Sequence, residues 1–519
     1  MTTPPPPIHL SIVQPAGHVH ALGLLDPVRY FRYQLLRLGA SVTCSKNRLR
    51  SDALNIVFGA HLGFEPALLR RHSCLFVNLE QLGEGGATLP AAYLDLLGRS
   101  AVVDYDAANV PAYARDVDDV PRVPLLHAPY LDRSTPLPLE ERPIDLLFIG
   151  SLNERRLEWI RRIEAQGRTV TVLDAPLYGE ERDRVIRNAK AVLNVHFYES
   201  GRFEQVRASH ALSLGTPVIS ERSPATRPHE AFEDSVLWIQ STDELEQFFR
   251  DDFGTPAYFD AVRAGLDRFR AADPIGDYAD LLAFATGFER VDRRRRETGP
   301  WRPSLVNLGS GKDYRAGWLN LDVLPSAQPD LVLDLARPLE LPLLADSPAG
   351  GQVALEEGSV ELIDANNVLE HVPDLPALMG NCLRLLKVGG RMRIEVPFEG
   401  AMTAWQDPTH VRAMNERSWL YYTDWFWYLG WYTHRFEMVA STWLDQDLAP
   451  CERAQAAFMR VMLRKVETSV QERMTARSFQ PALRLPDDEV LPHECIAVGV
   501  AQGTSVQTVP HPAERAPAL

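Results

Sequence analysis

Residues 305–322 read LVNLGSGKDYRAGWLNLD, from Leu305 to Asp322. An apolar run at Leu305, Val306 and Leu308 enters Gly309-Ser310-Gly311, and a second, Trp318 to Leu321, ends at Asp322. The pattern predicts a strand, a glycine turn, and a second strand tipped by a carboxylate. Glycine lets a backbone approach a ligand closely. An acid at the tip of the neighbouring strand is placed to accept the hydroxyls of a ribose, as in nucleotide sites of doubly wound sheets.

The residues after Asp322 extend the pattern. Asp330 to Leu335 (DLVLDL) predicts a third strand ending at Asp334, an acid able to take the exocyclic amine of adenine. Ser359–Ala365 predicts a fourth, which runs into Asn366-Asn367-Val368-Leu369-Glu370-His371-Val372. A helix over Leu375–Leu386, the turn Lys387-Val388-Gly389-Gly390 and a strand Arg391–Val396 complete the series.

The order of these motifs resembles class I methyltransferases that use S-adenosylmethionine. The resemblance covers residues 303–400 well and reaches loosely to 501. It implies that Gly309, Ser310 and Gly311 lie against the methionine part of S-adenosylmethionine. It further implies that Asp322 holds the ribose, that Asp334 and Leu335 flank the adenine, and that Asn366 lines the cleft. One departure is plain: Asp313 stands where a third glycine is usual, and only ten residues separate Gly311 from Asp322. The first helix must be very short.

Two histidines compete for the acceptor side, where a base of near-neutral pKa would serve an oxygen acceptor. His371 follows the fourth strand. His410 sits in Trp405-Gln406-Asp407-Pro408-Thr409-His410, with Asp407 available to orient it. A structural hydrogen bond is the alternative for each. Ser418–His434 then carries nine aromatics in seventeen residues. It reads as core and lid packing over the cleft, as a sugar-stacking platform, or as a peripheral membrane contact. The last lacks a basic flank.

Upstream, strand and helix alternate, which predicts parallel sheets with helices on both faces. The first unit has strands expected at Ile8–Val13, Ser41–Cys44, Asn55–Phe58, Cys74–Leu79, Ala101–Asp104 and Arg122–Leu126, and a helix over Asp26–Leu38. The second opens with a strand at Leu146–Ile149, the Gly150-Ser151 turn and a helix. Strands at Thr169–Leu173 and Ala191–His196 and helices at Glu180–Asn188 and Phe203–Leu214 come next, and the last runs into Gly215-Thr216-Pro217-Val218. Residues 242–290 are expected to be helical and to brace the first unit. Arg293–Arg296 read as a solvated hinge.

Residues Ala191–Glu221 look like the donor-side segment of GT-B glycosyltransferases. This resemblance implies a nucleotide-sugar donor held by Gly150, Ser151, Arg155, Arg156, Glu204, Arg207 and Thr216. Arg155 and Arg156 would pair with the diphosphate, and Glu204 with donor hydroxyls. A second acid is usual five residues before the GTPV glycine, and here that place is His210. For Arg207 and Glu221 a structural ion pair is the alternative. His18 and His20, in the first loop, are candidate bases for an acceptor hydroxyl, or structural, and no metal is expected there.

Composition sets limits. The chain has 519 residues, 45% hydrophobic and 24% charged, with a formal charge of −15. The acidic balance argues against nucleic acid as partner. No apolar run approaches the length of a membrane span, and MTTPPPPIHL lacks signal-peptide features. Five scattered cysteines without C-x-x-C fit a reducing cytoplasm and no structural zinc. The expected organisation is α/β throughout, in three Rossmann-like units: 1–140 and 141–290 as a GT-B-like pair, a linker 291–302, a methyltransferase unit 303–502 ending in an edge strand Ile496–Val500, and a disordered tail 503–519. The expected function is sugar transfer and methyl transfer on one glycan acceptor. Two alternatives are a methyltransferase with a non-catalytic sugar-binding module, and a small-molecule methyltransferase. Oligomeric state stays open.

Overall fold

The computed structural model describes residues 5–114, 120–132, 137–173, 175–296 and 299–479. The expected edge strand Ile496–Val500 and tail 503–519 lie outside these residues.

The first sheet holds β1 (Ile8–Ile12), β2 (Val42–Lys46), β3 (Leu54–Phe58), β4 (Cys74–Asn78) and β5 (Ala101–Asp104), all parallel, in the order β2-β1-β3-β4-β5. β1, β3 and β4 are buried at every position, as expected of strands covered on both faces. The sixth strand expected at Arg122–Leu126 does not form. Only Arg122 makes a lone bridge, to Asp104. Pro121 and Pro124 flank it and cannot donate to a ladder.

The second sheet repeats the plan with β6 (Ile144–Ile149), β7 (Val170–Leu173), β8 (Ala189–Asn194), β9 (Val218–Glu221) and β10 (Leu237–Ile239), in the order β10-β9-β8-β6-β7. Counted from its own first strand, this is again 2-1-3-4-5, so each sheet has its crevice where the order reverses. The bracing helix forms over Ile275–Asp292 and returns to the first sheet's helix, Leu25–Arg37. Tyr278 is fully buried there, edge-on to Phe31 at 5.2 Å and to Tyr30 at 5.9 Å. One apolar core runs through both sheets as a result. The basic run after this helix is not a free hinge throughout: Arg296 is buried against Glu289, at 3.1 Å, and Asp292, at 3.3 Å.

The third sheet comprises β11 (Leu305–Leu308), β12 (Leu319–Asp322), β13 (Leu331–Val332), β16 (Val360–Asn366), β17 (Leu386–Pro397), β18 (His434–Leu444) and β19 (Phe458–Glu467). A separate hairpin, β14 (Leu343–Asp346) with β15 (Gln352–Leu355), precedes β16. The order β13-β12-β11-β16-β17-β19-β18 is a doubly wound sheet extended by antiparallel strands. Its switch point lies between β11 and β16, beside the glycine turn. Cross-strand ion pairs Glu395–Arg460 and Glu437–Arg464 help to set the register of the added strands.

No helix follows Gly311 at all. The chain turns instead, with Asp313 N donating to Ser310 O at 2.7 Å. The expected third strand shrinks to two residues, and Asp334 stands beyond it in a turn. The last described element is the helix Val470–Ser478, and Ser469 and Glu472 close its N-terminus with a capping box. Among the described residues no helix is long and apolar enough to cross a membrane.

Candidate functional site

At the tip of β11 the backbone turns through Gly309 (φ +64°) and Gly311 (φ +45°), the left-handed region that glycine tolerates. A side chain at Gly309 would run into Val368 Cγ2. The glycine therefore lets the loop after β16 close over the turn. Asp322 is buried at the tip of β12. Its Oδ2 accepts from Gly311 N at 2.8 Å and its Oδ1 from Leu324 N at 2.8 Å. The carboxylate is thus fixed by backbone, with lone pairs left for a ligand hydroxyl. Ser310 is buried, and its hydroxyl has no partner.

Asp334 is half-exposed, accepts from Ala336 N at 2.9 Å and pairs loosely with Arg337 at 3.4 Å. Leu335 is buried beside it, and its carbonyl accepts from Asn381. Asn366 is exposed at the end of β16 and accepts from Asn367 Nδ2 at 2.9 Å. Gly309, Ser310, Gly311, Asp322 and Asn366 therefore gather at one sheet edge, where the sequence places them.

His371 closes a single helical turn, Leu369–His371, after β16. Its ring meets that of His410 at 4.7 Å between centroids, inclined at 71°. The two candidates are neighbours, not rivals. Asp407 does not orient His410: its Oδ1 accepts from Thr409 N at 2.8 Å and from Thr409 Oγ1 at 2.6 Å, and Oγ1 lies 2.9 Å from His371 Nδ1. The carboxylate is taken up by Thr409, and His410 Nδ1 is held instead by Ala404 O at 2.9 Å. Glu370 is a site residue that the sequence pattern does not single out. It is 1% exposed, neither carboxylate oxygen has a partner, and burial pushes its pKa up to about 7. Inside Leu369-Glu370-His371 it looks like an ordinary helix-start acid.

In the aromatic stretch, Trp419, Tyr422 and Phe426 are core, while Tyr421, Trp425 and Tyr428 form an exposed cluster with rings 5.3–6.2 Å apart. The stretch packs on β18, and Trp431 against Gly380 of the helix Leu375–Leu385.

The second candidate site is a cleft of about 580 Å3 beyond the strand ends of the first two sheets. Gly150, Ser151, Arg156, Glu204 and Arg207 line it. Gly150 (φ +132°) allows two guanidiniums to lie over the turn, since a side chain there would meet Arg207 Nη2 at 3.1 Å and Arg156 Nη1 at 3.5 Å. Glu204 is clamped between them, Oε1 to Arg156 at 2.8 Å and Oε2 to Arg207 at 2.6 Å. Arg156 also donates to Val195 O and Ser151 O, each at 2.9 Å, and burial lowers its pKa to about 10, so it stays charged. It is committed to the protein.

Two expected ligand groups are not in the cleft. Thr216 is fully buried, donates to Ile186 O at 2.9 Å and accepts from Arg142 at 3.0 Å. Arg155 turns away to Glu221, whose other oxygen accepts from His196 N at 3.1 Å. The expected ion pairing is therefore exchanged: Arg207 holds Glu204, and Glu221 holds Arg155. His210 is locked to Asp183 at 2.7 Å, with Arg182 at 2.8 Å, and Arg182 bridges to Asp26 of the first unit at 2.7 Å. Asp26, Glu80 and Arg182 also line the cleft, and spacing alone does not reveal them, because two sheets must fold to bring them together. His18 is half-buried and edge-on to His20 at 5.9 Å, and His20 reaches Tyr178 Oη of the cleft wall at 3.2 Å.

No family model matches the chain. It is 25% identical over 168 residues to "Uncharacterized protein L140" of Acanthamoeba polyphaga mimivirus, covering 30% of this chain and 51% of that one. The chain thus spans about half the length of the curated relative it matches. Among solved structures, the putative methyltransferase complexed with the Trm112 activator of Haloferax volcanii has a TM-score of 0.23 and 15% identity, over 34% of this chain and 86% of that one. WaaG, "a glycosyltransferase involved in lipopolysaccharide biosynthesis", has a TM-score of 0.36 and 10% identity, over 54% of this chain and all of its own. The structural neighbours of this α/β chain thus include putative methyltransferases and a glycosyltransferase.

Proposed function

We propose that this chain transfers a methyl group from S-adenosylmethionine to a glycan, and that its N-terminal half binds a nucleotide sugar and transfers its glycosyl group to the same glycan. Residues 303–502 are the methyl-transfer part, 1–140 and 141–290 the two halves of the sugar part, and 291–302 the connection. The observation that carries the proposal is the Gly309–Gly311 turn, with Asp322 fixed by two backbone N–H groups beside it. Bound there, S-adenosylmethionine supplies an electrophilic methyl group. Asp322 holds the ribose, Asp334 and Leu335 border the adenine, and Asn366 lines the cleft. His371 and His410 face the acceptor, with Asp407 acting on His371 through Thr409. The acceptor hydroxyl would give up its proton to solvent at this edge as its oxygen bonds to the methyl carbon, the sulfur keeping the electron pair of the broken carbon–sulfur bond, and much of the barrier is met by alignment.

In the N-terminal cleft Arg207 is the cation best placed for a diphosphate, with Gly150 and Ser151 presenting backbone. Glu204 and Arg156 shape that loop, and His18 and His20 are the candidate bases of the facing loop, with His20 reaching Tyr178 Oη at 3.2 Å. A specific observation favours a second reading, binding without turnover: both oxygens of Glu204 and the ring of His210 are already engaged.

The test is to incubate the full chain with methyl-labelled S-adenosylmethionine and oligosaccharide acceptors, with and without nucleotide sugars. Label in the glycan supports methyl transfer, and label only in a small non-sugar acceptor refutes the glycan assignment. Nucleoside diphosphate released with glycan extension supports sugar transfer. Nucleotide-sugar binding without release, unchanged in Glu204→Gln, supports the second reading.

A further inference from the structure

A buried carboxylate without a partner needs an explanation. Moving an unpaired carboxylate out of water costs several kcal/mol or more, so such groups are protonated, paired, or bound to a cation. Glu370 is in this position, yet it does not stand alone. One donor atom from each of Glu370, His371 and His410 lies within 4.8 Å of the other two. The backbone fixes the set: Glu370 O accepts from Val411 N at 2.8 Å, tying the turn after β16 to the loop that carries His410.

The hydrogen bonds around the two rings decide which nitrogen is free. Ala404 O can only accept, so His410 Nδ1 carries the proton and Nε2 keeps its lone pair. Thr409 has one hydroxyl proton, and the Asp407 carboxylate 2.6 Å away takes it. The same Asp407 Oδ1 also accepts from Thr409 N at 2.8 Å, so it is an acceptor. The hydroxyl oxygen must then accept from His371 Nδ1, again leaving Nε2 bare. Both imidazoles are thus held through Nδ1 by an outer partner, a backbone carbonyl for one and a Thr–carboxylate relay for the other. Metal-binding histidines are oriented this way.

We propose that Glu370, His371 and His410 form a divalent transition-metal site of the zinc type. Two imidazoles and one carboxylate suit such an ion and leave a position open. Both histidines are half-exposed, and the Gly309–Val368 contact keeps the turn carrying Glu370 beside the methyl-donor loop. The open position therefore faces the acceptor side. Resting on the methyl-transfer reading above, the ion's task is to take the acceptor hydroxyl as a ligand. The hydroxyl proton leaves to water more readily there. The oxygen lone pair then forms the carbon–oxygen bond, and the sulfur of S-adenosylmethionine keeps the electron pair of the broken bond, giving S-adenosylhomocysteine.

The test uses the full chain, stripped with chelator and titrated with Zn2+ by calorimetry, with bound metal counted by mass spectrometry after desalting. One Zn2+ per chain is expected. Glu370→Gln and His410→Asn, which alter shape little, should each weaken binding at least tenfold, and Thr409→Val about 10–100-fold through loss of the outer partner. Co2+ loading gives a second readout, a visible absorption band lost in the same variants. Absence of stoichiometric metal in the wild-type chain, or unchanged Zn2+ affinity and Co2+ band in variants that melt like wild type, overturns the site. S-adenosylmethionine titrated into the same stripped protein keeps the two claims apart: failure there refutes the methyl-donor site while leaving the metal result intact.

Discussion

At the residue scale, the Gly309–Gly311 turn, the proposed methyl-donor loop, rests on a contact that admits no side chain. Ala in place of Gly309 drives a methyl group into Val368 Cγ2 and holds a non-glycine residue at φ +64°. Gly309→Ala is therefore expected to lose about 1–3 kcal/mol of stability and to weaken S-adenosylmethionine binding. Chemical denaturation and calorimetry measure the two effects. Adding Val368→Ala should restore the steric part and leave the backbone part. These residues are legible in the sequence because glycine spacing and strand-tip acids are local signals. Glu370 and the Glu204 clamp are not. Glu370 comes to lie beside His410, 40 positions on, and Glu204 pairs with Arg156, 48 positions back, and no local pattern states which carboxylate will be buried unpaired and which held twice.

At the element scale, the parallel strands are legible because continuous apolar runs bounded by glycine are hard to mistake. Differences fall where neighbours overrule local pattern. Arg122–Leu126 has strand-like residues, but its prolines leave it one bridge. β18 and β19 are not among the expected strands, although Phe458–Glu467 alternates, with Met459, Val461 and Leu463 inward and Arg460 and Arg464 outward. The dense aromatic run just before them masks where the sheet resumes. The bracing helix is the element that joins the N-terminal sheets. Tyr278→Ala removes a fully buried ring from between Tyr30 and Phe31 and should cost about 3–5 kcal/mol, the size usual for a buried aromatic. A lower denaturation midpoint together with a looser cleft between the first two sheets, seen by hydrogen exchange at Arg182 and Asp26, is the expected signature. An unchanged midpoint would show that the helix braces nothing.

At the scale of the whole molecule, the first unit also grips the third. Arg48 Nη2 donates to Ala327 O at 2.9 Å with its guanidinium 4.4 Å from the Tyr314 ring centre, and Ser51 N donates to Ala349 O at 3.2 Å. A cavity of about 660 Å3 lies along this seam. On β1 of the first sheet His9 is buried between Thr43 Oγ1 and Ser45 Oγ, each at 2.7 Å. Burial, with the Arg50 charge helping, lowers its pKa from 6.5 to about 4, against the opposing pull of Arg48 O and Asp52. Between those two values the unfolded chain holds the extra proton, so His9 makes stability rise with pH across that window and adds nothing to the slope above it. His9→Gln should flatten the rise between pH 4 and 6.5 relative to wild type, measured by denaturation at a series of pH values. A variant with the wild-type slope would show that His9 titrates normally.

The methyl-donor site is the central claim, and calorimetric titration of the full chain with S-adenosylmethionine tests it most directly. One molecule should bind per chain in wild type. Asp322→Ala removes the acceptor of two backbone N–H groups and the proposed acceptor of the ribose hydroxyls, and should weaken binding by about 1–3 kcal/mol, roughly 5- to 150-fold. No binding by wild type, or an affinity unmoved by a folded Asp322→Ala variant, would contradict the site.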